Sequence, residues 1–162
     1  MAQTMIDVLA AVAVRQPQAP YSHYEGRTTT YGELWQQVRQ VGAGLLAIQP
    51  QPGTRVVYLG KNTDRLMAII FGAAAVRQTC VVLNWRLALP EWVDILKDSG
   101  AHTLFVDADF LSQVPALRTR LPQITRVIAI DSVDVDDHAA IDFDRWVDRK
   151  STRLNSSHGY IS

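Results

Sequence analysis

Residues 55–84 read RVVYLGKNTDRLMAIIFGAAAVRQTCVVLN. Residues 55–60 are rich in β-branched and aromatic side chains and show no polar alternation, the mark of a short buried strand. Residues 62–77 are apolar nearly all round, which predicts a largely buried helix, with Asn62 placed to cap it. A second buried strand is expected at 79–84. A strand, a helix and a strand in succession make the unit that joins two parallel strands through a crossover.

The pattern extends in both directions. Upstream, Leu34, Val38, Val41, Leu45 and Ile48 recur at the spacing of one helical face, predicting a helix over 31–48. Thr30 followed by Glu33 is a capping-box start for it, and Pro50, Pro52 and Gly53 end it. A first amphipathic helix is expected over 5–15, stopped by Pro17. Downstream, Pro90 suits the first turn of a helix over 89–97, and Gly100 is placed to terminate it. A strand at 103–107, a helix at 110–120 and a strand at 126–131 complete the alternation. The fold class is therefore α/β, with alternating strands and helices and a mainly parallel sheet covered on both faces. Beyond this the pattern fails. Asp131, Asp134, Asp136, Asp137, Asp142 and Asp144 crowd a short stretch, expected to be a solvated loop before a short helix at 143–147. A metal site there is the lesser reading, because no glycine-turn ligand spacing accompanies the acids.

At 162 residues, 48% hydrophobic and 20% charged, the chain suits one globular domain. Sixteen basic residues balance sixteen acidic ones, so no global charge argues for nucleic acid or an anionic membrane. The longest uncharged apolar run, 66–76, falls short of the roughly 20 residues a spanning helix needs. The apolar stretch 8–14 has no lysine or arginine before it, which argues against a secretion signal. The lone Cys80 has no internal disulfide partner and fits a reducing, cytoplasmic compartment.

The motif search yields no catalytic, cofactor-binding or metal-binding residue. Gly42-Ala43-Gly44-Leu45-Leu46-Ala47 matches the loose dinucleotide fingerprint, but that fingerprint works only at a strand-to-helix turn. Inside a predicted helix, close packing explains the glycines better. His23, His102, His138 and His158 are scattered without ligand spacing. No phosphate-loop, nucleophile-elbow or zinc-pair motif occurs. Asn84 and Arg86 are the tempting polar residues, and loop-fixing hydrogen bonds at a strand end are preferred for them over ligand contact.

Three stretches, in this order and spacing, resemble the start of acyl-CoA synthetases of the adenylate-forming (AMP-binding) family. They are 28–34 (TTTYGEL), 54–62 (TRVVYLGKN) and 81–100 (VVLNWRLALPEWVDILKDSG). The first is similar to the family's hairpin-to-helix entry, and the third follows the family segment almost position for position. Two departures stand out: Arg77-Gln78-Thr79 replaces a usual glycine, and Val82 stands where proline is common. The resemblance covers about residues 5–131 and implies an incomplete N-terminal α/β subdomain. It implies a complete protein that activates a carboxylic acid, a fatty acid by the look of 81–100, with ATP and Mg2+, and passes the acyl group to CoA. The family's phosphate loop, ribose-binding aspartate and late lysine all come further along such chains. The 162-residue chain is thus expected to be inactive alone, and to self-associate through a sheet edge that later strands would cover.

Residues 148–158 (DRKSTRLNSSH) resemble the in-frame translation of a sequencing-library adapter, and Gly159 to Ser162 continue it. The expected division is a natural part, 1–147, and a non-native, disordered tail, 148–162. The competing readings are a stand-alone α/β module that binds a ligand or partner without catalysis, and an oxidoreductase resting on Gly42 and Gly44 alone.

Overall fold

A computed structural model describes residues 4–49, 51–131 and 140–154. Helix α1 (Met5–Arg15) opens on a reciprocal cap: the Thr4 amide donates to the Asp7 carboxylate at 2.8 Å, and the Asp7 amide donates to the Thr4 hydroxyl at 3.2 Å. A hairpin follows, β1 (Pro20–Tyr24) antiparallel to β2 (Arg27–Thr30). Its two-residue turn holds Glu25 and Gly26 at φ 46° and 78°. Two consecutive left-handed residues give the turn a twist that matches the strands. The periodicity argument misses this hairpin, since PYSHY and RTTT carry no apolar alternation.

Helix α2 (Tyr31–Ile48) begins on the expected Thr30–Glu33 box and buries Leu34, Val38, Val41 and Leu45. Strands β3 (Arg55–Leu59), β4 (Thr79–Leu83), β5 (Thr103–Asp107), β6 (Arg126–Ile130) and the two-residue β7 (Ile141–Asp142) form one parallel sheet in the order β4-β3-β5-β6-β7. Helices α3 (Asp64–Ala75), α4 (Leu89–Ser99) and α5 (Val114–Arg120) fill the crossovers, and α6 (Phe143–Leu154) follows β7. Alternate strand residues feed two cores. Val56, Tyr58, Phe105, Ile128 and Ile130 pack with α2, α3 and α6 on one face. Val57, Leu59, Leu104, Val106 and Val127 pack with α4 and α5 on the other. Burial of both faces is why β3, β5 and β6 show no polar alternation.

The structure corrects several expectations. Asn62 does not cap α3: Thr63 occupies the N-cap position and its side chain makes no cap bond. The Tyr58 hydroxyl instead pins the loop, donating to the Lys61 carbonyl at 2.6 Å, and the Asp64 carboxylate supplies negative charge to the first turn. The helix expected at 110–120 is divided into a 3-10 segment (Ala108–Gln113) and α5, because Pro115 has no N–H with which to continue a helix from the preceding turn. Strand β4 is an edge rather than a buried strand, with Thr79 and Val82 exposed. The short helix expected at 143–147 runs on to Leu154. The helix therefore enters the stretch expected to be disordered; residues 155–162 lie outside the described part. Asp134, Asp136, Asp137 and His138 lie outside it as well.

Gly42 and Gly44 sit inside α2, as the packing explanation requires. A Cβ on Gly44 would stand 2.5 Å from the Trp146 ring, and one on Gly42 would stand 3.2 Å from Val76. These glycines make room for α6 and α3 and lie at no strand-to-helix turn, so the dinucleotide reading fails on geometry.

Candidate functional site

In open parallel sheets, ligands gather beyond the carboxyl ends of the strands, where the chain order reverses. Here the reversal lies between β3 and β5, since β3 connects to β4 on one side and the chain returns to β5 on the other. Gly60 and Lys61 leave β3 at this point, and Asp107 ends β5. A Cβ on Gly60 would come within 2.6 Å of Asp107 Cβ, so glycine lets the two strand ends approach. The Lys61 amide donates to Asp107 Oδ2 at 3.3 Å, and Lys61 Nζ pairs with Asp109 at 2.6 Å. That pairing holds the exposed lysine's pKa above its ordinary value.

Beside this pair, the end of β4 presents an aromatic and cationic surface. Asn84 Oδ1 accepts from the Arg86 amide at 3.0 Å, the loop-fixing bond expected of it, while its carbonyl accepts from Trp92 Nε1 at 3.0 Å. Arg86 makes a different contact: its guanidinium lies 4.1 Å from the Trp85 ring centroid. Lys61 Nζ approaches the same ring at 5.8 Å, and the Phe110 ring lies tilted against it at 6.3 Å between centroids.

On the other side of Lys61 lies a carboxylate group. Asp64, almost fully buried, pairs with Arg27 of the hairpin through Oδ2, and its Oδ1 has no hydrogen-bond partner. Burial raises the pKa of Asp131 at the end of β6, against a lowering by nearby Arg65. Arg65 in turn pairs with Asp144 of α6 at 2.9 Å and lies over the Phe143 ring. The Tyr58 phenol is pushed up to about 12, chiefly by burial, so it stays protonated and serves as a loop anchor.

A triphosphate site needs free backbone amides and an uncommitted cation. The Lys61 amide and ammonium are both engaged by carboxylates, those of Asp107 and Asp109. Among the described residues no three His, Cys, Asp or Glu side chains are grouped to hold a metal ion. His23 Nδ1 lies 2.8 Å from the Thr28 hydroxyl, and His102 Nδ1 donates to the Gln123 carbonyl at 2.8 Å, each a local tie. Burial pushes the Cys80 thiol up to about 12, so it is a packing group and not a nucleophile. A depression of about 600 Å³ lies at the opposite, amino end of the strands, with Arg55, His102 and Arg126 in its wall. Arg55 there donates to the Ser99 carbonyl at the end of α4, so this charge complements a helix terminus.

The AMP-binding enzyme family matches residues 9–158, and the chain belongs to that family. The fatty acid–[acyl-carrier-protein] ligase ScoC of Streptomyces coeruleorubidus is 38% identical over 108 residues, 67% of this chain and 21% of that protein. A feruloyl-CoA synthase of an Amycolatopsis species is 36% identical over 62% of this chain and 21% of its own length. The anthranilate CoA ligase AuaEII, solved with anthranoyl-AMP, superposes with a TM-score of 0.83 at 22% identity, covering 90% of this chain and 28% of that one. The chain thus spans about one fifth of the length of these curated relatives. Among the described residues no helix is long and apolar enough to cross a membrane.

Proposed function

We propose that this chain is the N-terminal part of an ATP-dependent carboxylate–CoA ligase that works through an acyl-adenylate. In that reaction the substrate carboxylate attacks the α-phosphate of ATP and pyrophosphate leaves. A thiol then attacks the acyl carbonyl and AMP leaves. ATP, Mg2+ and CoA belong to the complete protein, and no residue of the 162 is assigned to catalysis, to a cofactor or to a metal. The chain alone is proposed to be inactive and the complete enzyme to work in the cytoplasm. What carries this reading is the family match along nearly the whole chain, joined to the one-fifth coverage of relatives that are themselves ligases.

A fatty acid is the proposed substrate. The ScoC likeness favours it, while the feruloyl-CoA synthase likeness favours an aryl acid. We also propose that residues 148–162 are translated adapter. The family match runs into this stretch, to residue 158, so resequencing of the locus with trimmed reads separates the two readings. A natural continuation after Val147 is expected. The complete protein should exchange pyrophosphate into ATP in the presence of fatty acids, and at least tenfold more slowly with ferulate or anthranilate. Faster exchange with the aryl acids would overturn the substrate class. Pyrophosphate release by the 162-residue chain alone would overturn the claim that it is inactive.

A further inference from the structure

The hairpin and α6 face each other across a cleft of about 490 Å³, lined by Arg27 of β2, Gln36 of α2, Arg65 of α3, and Phe143 and Asp144 of α6. Two consecutive residues of α3 reach to either side of it. Asp64, its side chain only 3% exposed, pairs with Arg27, while its other oxygen, Oδ1, is buried without a partner. Arg65 reaches the other way. Its Nη2 lies 2.9 and 3.2 Å from the two oxygens of Asp144, and its guanidinium covers the Phe143 ring at 5.4 Å. Its Nε is buried without a partner. Asp131, at the end of β6, lies in the field of both guanidiniums and of Asp64.

We propose that Asp64 and Arg65 form a two-armed charge clasp, which couples the seating of the hairpin to the seating of α6 across the cleft. Neighbouring residues of a helix point roughly 100° apart, so one turn of α3 can hold an element on each side. A carboxylate as buried as Asp64 is costly without a cation beside it. When Arg27 leaves with the hairpin, the cation next to Asp64 in the chain is Arg65. The field of Asp64 and Asp131 then draws that guanidinium away from Asp144, and α6 loses its tie. In the other direction, loss of Asp144 frees Arg65 to serve Asp131 and Asp64 in competition with Arg27, and the hairpin is held less firmly. Each guanidinium is thus kept on its own carboxylate by the other pair being made. Every group in the clasp belongs to residues 27–144, and none is assigned to the ligase reaction.

The test is residue-resolved hydrogen exchange on the 162-residue chain at neutral pH. Asp144→Asn, at a side chain 61% exposed, should leave the circular dichroism unchanged. It should still quicken exchange of the β1 and β2 amides by at least about threefold, while α4, on the opposite face of the sheet, is unaltered. Coupling is reciprocal, so Arg27→Gln should quicken exchange in α6 by at least about threefold as well. Both responses should vanish in the Arg65→Met protein, which keeps an apolar cover over Phe143 and removes the shared guanidinium. Hairpin exchange unchanged by Asp144→Asn, or α6 exchange unchanged by Arg27→Gln, overturns the proposal. So does a response that persists without Arg65, since it would run through the packing of α2 or directly across the cleft.

Discussion

Arg77 shows how one residue can depart from a family pattern without changing the fold. Its φ is +60°, in the left-handed region, and the bonds around it form a complete helix-terminating motif. The Arg77 amide donates to the Ala74 carbonyl at 3.0 Å and the Gln78 amide to the Ala73 carbonyl at 2.9 Å. Glycine is the usual occupant of this position because it has no Cβ to crowd the carbonyl oxygen. The expectation of a glycine here came from a resemblance; the structure supplies its physical reason. The Arg77→Gly variant should therefore stabilise the chain, by roughly 0.5–1 kcal/mol after the greater freedom of glycine in the unfolded state is subtracted. Urea unfolding should show the midpoint rising with an unchanged slope, and a lower midpoint would mean that the arginine side chain makes a compensating contact.

At the scale of elements, the starts of α1 and α2 depend on the same reciprocal device. Backbone and side-chain hydrogen bonds from Thr4 lower the pKa of Asp7, and those from Thr30 lower that of Glu33. A carboxylate with a depressed folded-state pKa contributes stability above its unfolded value, and loses it as pH falls through the folded one. Acid should therefore weaken the start of α2 as pH falls below about 4.5, an ordinary glutamate pKa, and that of α1 below about 3.8, an ordinary aspartate one. Thr30→Ala should cost about 1 kcal/mol at pH 7. It should also make the acid limb of stability shallower, because Glu33 then has less to lose. A parallel pair of acid titrations followed by far-ultraviolet circular dichroism would measure both effects. Identical acid limbs would show that the cap does not set the Glu33 titration.

For the whole molecule, α6 decides whether one sheet face is closed. Phe143, Trp146 and Val147 are buried against α2 and the sheet, and Phe105 meets Phe143 and Trp146 edge-on at 6.4 and 5.5 Å. A chain stopped after Val147 keeps Phe143, Trp146 and Val147 in the core and should retain the cooperative transition of the full one. A chain stopped after Asp142 should lose its cooperative transition, because Val41, Leu45, Phe105 and Ile128 would face water. Trp146→Ala, the milder form of the same change, should cost about 3–5 kcal/mol. Differential scanning calorimetry of the three proteins tests this ordering. A cooperative melt of the shortest one would show that the remaining helices close the face without α6.

The alternation of strands and helices was legible from residues alone because burial on both faces leaves a local trace. RVVYL, TLFVD and RVIAI have no polar side to show, and the caps at Thr30 and Gly100 act within their own helices. The glycines of α2 were legible as packing residues for the same reason, although not the identity of Trp146 as their neighbour. Strand order was not legible. TCVVL has the composition of a central strand yet lies at an edge, since lateral position depends on which strands the crossovers bring alongside. The link between Arg27 and Asp64 and the convergence of Lys61, Asp107 and Asp109 likewise join residues far apart in the chain. Periodicity records which way a side chain faces within its own element; what it meets there is set by how distant elements pack, and only the tertiary structure holds that information.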